Sequence, residues 1–179
     1  MRTLYSGLSR GTERLVFNGL VAAPDRDRMR CPMQEGDFPF PVKYGYCAVG
    51  QVEHGPKELL GRRVFALHPH QDRFVAPVKM LAPLPQGLPA KRAILAANME
   101  TALNAVWDSG AGPGDRIVVV GGGIVGLMVT AIVAQLPGAE VCLVDLDQSR
   151  RTYAELFGVK FQKPLDAPGE ADVVFHASA

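Results

Sequence analysis

Residues 117–126 read IVVVGGGIVG: one isoleucine and three valines run into three consecutive glycines, and a fourth glycine follows at 126. β-Branched residues favour an extended chain, whereas each glycine inside a helix costs about 1 kcal/mol relative to alanine. From Ile117 to Ala134 there are 18 residues without a charge, the lower limit for a membrane-spanning helix. Such a helix would have to run straight through the glycines, so the stretch reads as a strand, a tight turn and then a helix.

Outward from the turn, the carboxyl side continues the alternation. GLMVTAIVAQL (126–136) is apolar on every side and closes at Pro137-Gly138, which suits a helix buried against a sheet. EVCLVD (140–145) then reads as a strand, QSRRTYAELFG (148–158) as a helix and ADVVF (171–175) as another strand. Strands alternating with helices at this spacing predict an α/β fold with a parallel sheet.

The amino side is different. AKRAILAANMETALNAVWDSGA (90–111) carries Ile94, Ala97, Thr101, Ala105 and Val106 at helical spacing, and stops at Gly110 and Gly112-Pro113-Gly114. Before Ala90, short apolar runs (YGYCAVGQVE, GRRVFAL, DRFVAPVKMLAPLP) are punctuated by prolines that exclude long helices. That texture predicts a small all-β unit. Two domains are expected, 1–93 and 94–179.

Composition narrows the function classes. Net charge is +1, from 19 Lys and Arg against 18 Asp and Glu, with no basic run, so neither nucleic acid nor a membrane surface is indicated as partner. Cys31, Cys47 and Cys142 are widely spaced and odd in number, which argues against a disulfide framework or a cysteine-rich metal lobe and fits a reducing, cytoplasmic setting. MRTLYSGLSRG lacks the apolar stretch of a secretory signal.

Gly121, Gly123 and Gly126 form G-x-G-x-x-G, with Ile124 and Val125 as the intervening residues that open the helix. The first glycine permits the turn, the second lets backbone approach a pyrophosphate, and the third lets helix and strand pack closely. Helix N-terminal N–H groups favour the phosphates. Asp145 stands nineteen positions after Gly126, at the end of the next strand, where a carboxylate accepts from ribose hydroxyls and repels a 2′-phosphate. The set predicts a dinucleotide site that prefers NAD over NADP. Arg150 and Arg151, just beyond, are the groups that would weaken that preference.

With an all-β unit leading through a helix into PGDRIVVVGGGIVGL…EVCLVD, the chain resembles the medium-chain dehydrogenase/reductase superfamily, the alcohol-dehydrogenase-like enzymes. YSGLSRGTE, YGYCAVGQVEHG, GRRVFAL, METAL and ADVVFHASA carry the likeness, and the SG-x-S-x-GTE opening is similar to the bacteriochlorophyllide dehydrogenase-like branch. The resemblance implies a GroES-like β domain on the substrate side, a Rossmann domain holding a nicotinamide cofactor, and a homodimer through the Rossmann domain. It also implies that the chain lacks an N-terminal strand pair and supplies only the first half of the Rossmann sheet, so that it is part of a longer protein or a truncated product.

The departures from that family are informative. Ser9 stands where zinc members have Cys, Gly45-Tyr46-Cys47 where they have G-H-E, and Ala97 near the third ligand. Catalytic zinc needs three N, S or O ligands, so no metal is expected. A protonated side chain must then serve the substrate oxygen in its place. Tyr46 is the first candidate, His70 a general acid, and Ser9 and Thr12 are candidate relays. Cys47 reads as a small buried thiol. His68-Pro69-His70 places two histidines at i, i+2, read as a loop or substrate contact before a metal site. His176 sits at the carboxyl end of the ADVVF strand, where ligands of open α/β sheets bind. Thr101 matches a family threonine beside the nicotinamide. The expected activity is hydride transfer between a nicotinamide and a small alcohol or carbonyl compound; the alternative is a dinucleotide-binding protein without catalysis.

Overall fold

The computed structural model describes residues 1–178. They fall into two units, Met1–Ala97 and a second that begins at Asn98. The first holds β1 (Arg2–Ser6), α1 (Thr12–Phe17), the short pair β2 (Glu35–Gly36) and β3 (Val42–Lys43), β4 (Ala48–Gln51), β5 (Arg63–Ala66), β6 (Leu81–Pro83) and α2 (Ala90–Ala93). An antiparallel sheet runs β1-β4-β5-β6. Its residues alternate between two faces, as the period of two requires. Val49 and Phe65 pack with Cys47, Ala90 and Ala93, while Ala48 and Ala66 pack with Phe74.

The helix expected over 90–111 is broken. Leu95 N–H bonds the Arg92 carbonyl, a tight i→i+3 closure that ends α2. A new helix, α3 (Ala96–Ser109), follows. Burial of Ala90 and Ala93 against the first sheet overrides the continuous helical pattern of the sequence.

The second unit continues with β7 (Arg116–Val120), α4 (Ile124–Val133), β8 (Glu140–Val144), α5 (Arg151–Phe157), β9 (Lys160–Gln162) and β10 (Val173–His176). All pairings in its sheet are parallel, in the order β10-β7-β8-β9. The chain steps outward from β7 to β9, then returns to place β10 on the other side of β7. The topology therefore reverses between β7 and β10, and ligands of open α/β sheets bind at the carboxyl ends of such strands. Ile117, Val119, Leu143 and Val144 are almost wholly buried, as strands covered on both faces should be. Thr130, buried on α4, donates its hydroxyl to the Gly126 carbonyl at 2.8 Å, so its polarity is satisfied within the helix.

The uncharged run of 117–134 is thus divided between β7 and α4, and no helix among the described residues is long and apolar enough to cross a membrane. Gln148–Arg150 form a 3₁₀ turn ahead of α5 instead of its first turn. The parallel sheet and the antiparallel β unit agree with the fold class read from the sequence.

Candidate functional site

The four glycines after β7 have different tasks. Gly121 has φ +101°, and a Cβ there would lie 2.6 Å from the Ser178 backbone nitrogen. Its N–H donates to the Val144 carbonyl at 2.8 Å, wedging the turn between the ends of β8 and β10. At Gly126 a Cβ would stand 1.8 Å from the Gly121 carbonyl oxygen, so α4 can start this close to β7 only with glycine. Gly123 is exposed, and nothing lies within 4 Å of where its Cβ would be. No side chain caps the start of α4, and its first turn holds no acidic residue. An open backbone surface beside uncapped helix N–H groups is the cradle a pyrophosphate needs.

Asp145 follows β8 and is tied to this turn. Its Oδ2 accepts from Gly122 N–H and its Oδ1 from Asp147 N–H at 2.7 Å. Each oxygen keeps a further lone pair for a ribose hydroxyl. Arg150 also reaches the turn: its Cγ lies 2.9 Å from where a Gly122 Cβ would stand. Its Nε pairs with Asp147 Oδ2 at 3.3 Å. Hydrogen bonds from Ser149 hold the Asp147 carboxyl below the usual carboxylate range. Arg151 points elsewhere, over the Phe161 ring at 5.1 Å. At the end of β10, His176 Nε2 shares a 2.9 Å hydrogen bond with the Ser178 hydroxyl, next to the backbone that Gly121 touches. Ile124 is exposed and Val125 half-buried at the start of α4; Thr101 is exposed on α3. The structure thus gathers Gly121, Gly123, Gly126, Asp145, Arg150 and His176 around one turn.

A second polar cluster lies within the first unit. His70 Nε2 bonds Glu13 Oε2 at 2.6 Å, and His70 Nδ1 bonds the Ser6 hydroxyl. The other Glu13 oxygen accepts from Ser9 N–H at 3.0 Å. Glu13 is nearly buried and the His70 ring is about a third exposed, at 10% and 30% of their side-chain surfaces. Gly45 makes room for the imidazole: at φ +133°, its Cβ would come 2.9 Å from the ring. Ser6 and Glu13 escaped sequence reasoning because they stand 64 and 57 positions from His70. The GTE triplet quoted for the resemblance contained Glu13, and its acidic residue was the available signal.

The other candidates surround this cluster. Ser9 contributes its backbone N–H, and Thr12 begins α1 rather than lying in a loop. Tyr46 is half-buried against the cluster of Cys47, Val49 and Phe65, with an edge-on contact to Tyr44. Burial pushes the Cys47 thiol up to about 11 and the Tyr44 phenol up to about 12. The two histidines of 68–70 do not share a face. His68 is buried and stacked on Phe74 at 3.6 Å, and burial lowers its pKa. No group of three His, Cys, Asp or Glu side chains able to hold a metal ion occurs among the described residues.

No family model matches the chain. It is 33% identical over 119 residues to 2-dehydro-3-deoxy-L-galactonate 5-dehydrogenase of Pseudoalteromonas atlantica, covering 60% of this chain and 35% of the relative. It is 34% identical over 90 residues to an uncharacterized zinc-type alcohol dehydrogenase-like protein of Haemophilus influenzae, covering 50% and 26%. Among solved structures, the quinone oxidoreductase of Thermus thermophilus, crystallised also with NADPH, superimposes with a TM-score of 0.73 at 23% identity, over 97% of this chain and 56% of that one. The chain has the alcohol-dehydrogenase-like fold. Its neighbours are the zinc-type alcohol dehydrogenases and their relatives in the medium-chain dehydrogenase/reductase superfamily that its motifs resemble. It spans about a third or less of the two curated relatives' length and just over half of the solved one.

Proposed function

We propose that this chain belongs to an oxidoreductase that moves a hydride between a nicotinamide cofactor and an alcohol or carbonyl compound, prefers NAD to NADP, and uses no catalytic zinc. The observation that carries the reading is Gly123, standing in open space at the uncapped start of α4 while Asp145 holds Gly122 beside it. Gly121, Gly123, Ile124, Val125 and Gly126 would cradle the pyrophosphate, and Asp145 would take the adenosine ribose. When bound, the nicotinamide supplies the redox chemistry by exchanging a hydride with the substrate carbon.

The preference for NAD rests on the Asp145 carboxylate, which would repel a 2′-phosphate. Arg150 lies close enough to soften that repulsion, although its nearest partner is Asp147. The absence of zinc chemistry rests on the donor set. Ser9, Tyr46 and Ala97 replace ligands of the family pattern, and Cys47 is a buried thiol held protonated. Tyr46 and His70 are left as the groups able to serve the substrate oxygen. Three free, buried cysteines fit a cytoplasmic protein, and the resemblance favours a homodimer through the second unit.

The test is a titration with NADH and with NADPH, followed by energy transfer from Trp107, the single tryptophan. Saturable NADH binding, weaker for NADPH and abolished in Asp145→Arg, is the expected result. A folded chain that binds neither nucleotide overturns the reading. NADH oxidation is then followed with a panel of carbonyl compounds, including the 2-dehydro-3-deoxy-L-galactonate of the curated relative's name.

A further inference from the structure

We infer that His176, its ring fixed by Ser178, holds the ribose on the nicotinamide side of the cofactor. This rests on the oxidoreductase reading above and deepens it: Asp145 takes one ribose of the dinucleotide, and an imidazole takes the other.

In the second sheet, Val144 of β8, Val120 of β7 and His176 of β10 are cross-strand partners in one row. The glycine turn leaves the middle of that row, Asp145 follows it on one side, and His176 closes β10 on the other. Neighbouring strands stand about 4.8 Å apart, so β8 and β10 flank the turn at about 10 Å from each other. A pyrophosphate seated on the turn carries one ribose at each end. With the adenosine ribose drawn to Asp145, the second ribose leaves over β10, the side on which the strand order reverses.

The end of β10 is a fixed wall of the turn. Ala177 N–H donates to the Val120 carbonyl at 2.8 Å. A Cβ on Gly121 would meet the Ser178 backbone nitrogen at 2.6 Å, and one on Gly126 would meet the Ala177 Cβ at 3.3 Å. The segment therefore packs on the same glycines that shape the cradle. Ala177 offers that wall only a methyl group, whereas His176 and Ser178 are polar and exposed. Their 2.9 Å hydrogen bond occupies His176 Nε2, and Nδ1 has no partner among the described residues. A hydroxyl both donates and accepts, so a ribose hydroxyl pairs with Nδ1 in either tautomer of the ring. A carboxylate at this place would add a second negative charge beside the pyrophosphate, after that of Asp145; a neutral imidazole adds none. Ser178 acts through the ring and is a positioning residue.

The test is calorimetric titration of the whole chain with ADP, ADP-ribose and NADH. ADP has the adenosine and both phosphates, ADP-ribose adds the second ribose, and NADH adds the nicotinamide. In His176→Ala, ADP should bind as it does to the unaltered chain, whereas ADP-ribose and NADH should each weaken ~3- to 10-fold, the size of one hydrogen bond. His176→Asn, which keeps a donor and an acceptor, should recover part of the loss. Ser178→Ala should show the same selectivity with a smaller loss, and Ser178→Thr should restore binding. Unchanged ADP binding certifies that each variant is folded. Equal weakening of all the ligands would make His176 a support of the turn and overturn the assignment. Weakening of NADH alone would put the ring at the nicotinamide, and it too overturns the assignment, as does no weakening at all. A folded, unaltered chain that binds none of the ligands removes the oxidoreductase reading and this inference with it. Binding of ADP without the selectivity removes the inference alone.

Discussion

The glycine turn of the second unit and the Ser6–His70–Glu13 cluster of the first build polar sites from opposite materials. The turn presents backbone. Its open surface is at Gly123, while the buried Gly121 and Gly126 let backbone pack against backbone and Asp145 holds the loop through Gly122. The cluster presents side chains, each fixed by the next, with Glu13 as the buried anchor. A backbone site tolerates change wherever a side chain would meet open space. A side-chain cluster loosens when any member is lost.

The sharpest way to test the first half of that contrast is to add a side chain at different glycines. Gly126→Val must push apart α4 and the Gly121 carbonyl, only 1.8 Å from the added Cβ. Overpacking of backbone against backbone costs about 3 kcal/mol or more, read as a lower urea midpoint by Trp107 fluorescence. Gly123→Ala, with open space around its Cβ and an ordinary φ of −72°, should change stability by less than ~0.5 kcal/mol. It should still weaken NADH binding several-fold, because the methyl fills the cradle. Equal stability losses at the two glycines would show that the turn is structural throughout.

The second half is tested at Glu13. Glu13→Leu leaves the His70 Nε2–H without its acceptor and the Ser9 N–H without its carboxylate. An unsatisfied, partly buried polar group costs about 1–3 kcal/mol, so the first unit should lose more stability than it does in Ser6→Ala, whose hydroxyl is at the exposed end. Thermal unfolding of the two variants gives the comparison. Losses of the same size would mean that burial of Glu13 is not what anchors the cluster.

The two sites also differ in how far the sequence announces them. The glycine turn is contiguous: strand, glycines, helix and the acid after the next strand all lie within 117–145. The periodicities of two and 3.6 and the glycine spacing therefore carry the fold and most of the cofactor candidates. The cluster joins residues 6, 13 and 70, brought together only when β1 pairs with β4 and the chain beyond β5 turns back past Tyr44. Local patterns hold no trace of such a meeting. His70 was nameable from its chemistry alone, whereas its partners were not. The break between α2 and α3 was hidden for a related reason, since tertiary burial of Ala90 and Ala93 decides it.

Asp145 bridges the two kinds of site, being a side chain in the service of a backbone loop. Asp145→Asn retains an oxygen for Gly122 N–H but loses the charge and leaves the exposed Asp147 N–H to water, so stability should fall by about 1 kcal/mol. Nucleotide preference is the more telling readout. If the charge is what disfavours the 2′-phosphate, Asn should narrow the NADH-over-NADPH ratio with Arg150 beside it, and Asp145→Asn/Arg150→Ala should bind NADPH less well than Asp145→Asn alone. A ratio unmoved by either change would remove both residues from cofactor selection.

The smallest effect separates the units by alkali. In the folded first unit Cys47 is raised from 9.0 to about 11 and Tyr44 from 10.0 to about 12, both by burial, and Cys31 is raised as well. In the second unit Cys142 is raised by burial. Each of these groups binds its proton more tightly folded than unfolded. Their contribution to stability is therefore complete below the ordinary values and declines as pH climbs through the raised ones. Among the described residues burial raises three such groups in the first unit and one in the second, so rising pH should loosen the first unit sooner. Thiol trapping in moderate urea, located by mass spectrometry, reads the units separately through Cys31 and Cys47 on one side and Cys142 on the other. Between pH ~8 and ~10.5, after correction for each thiol's intrinsic reactivity, opening at Cys47 should rise more than opening at Cys142. A parallel rise in both would mean that the two units open together, and that the contrast between them ends at their active groups.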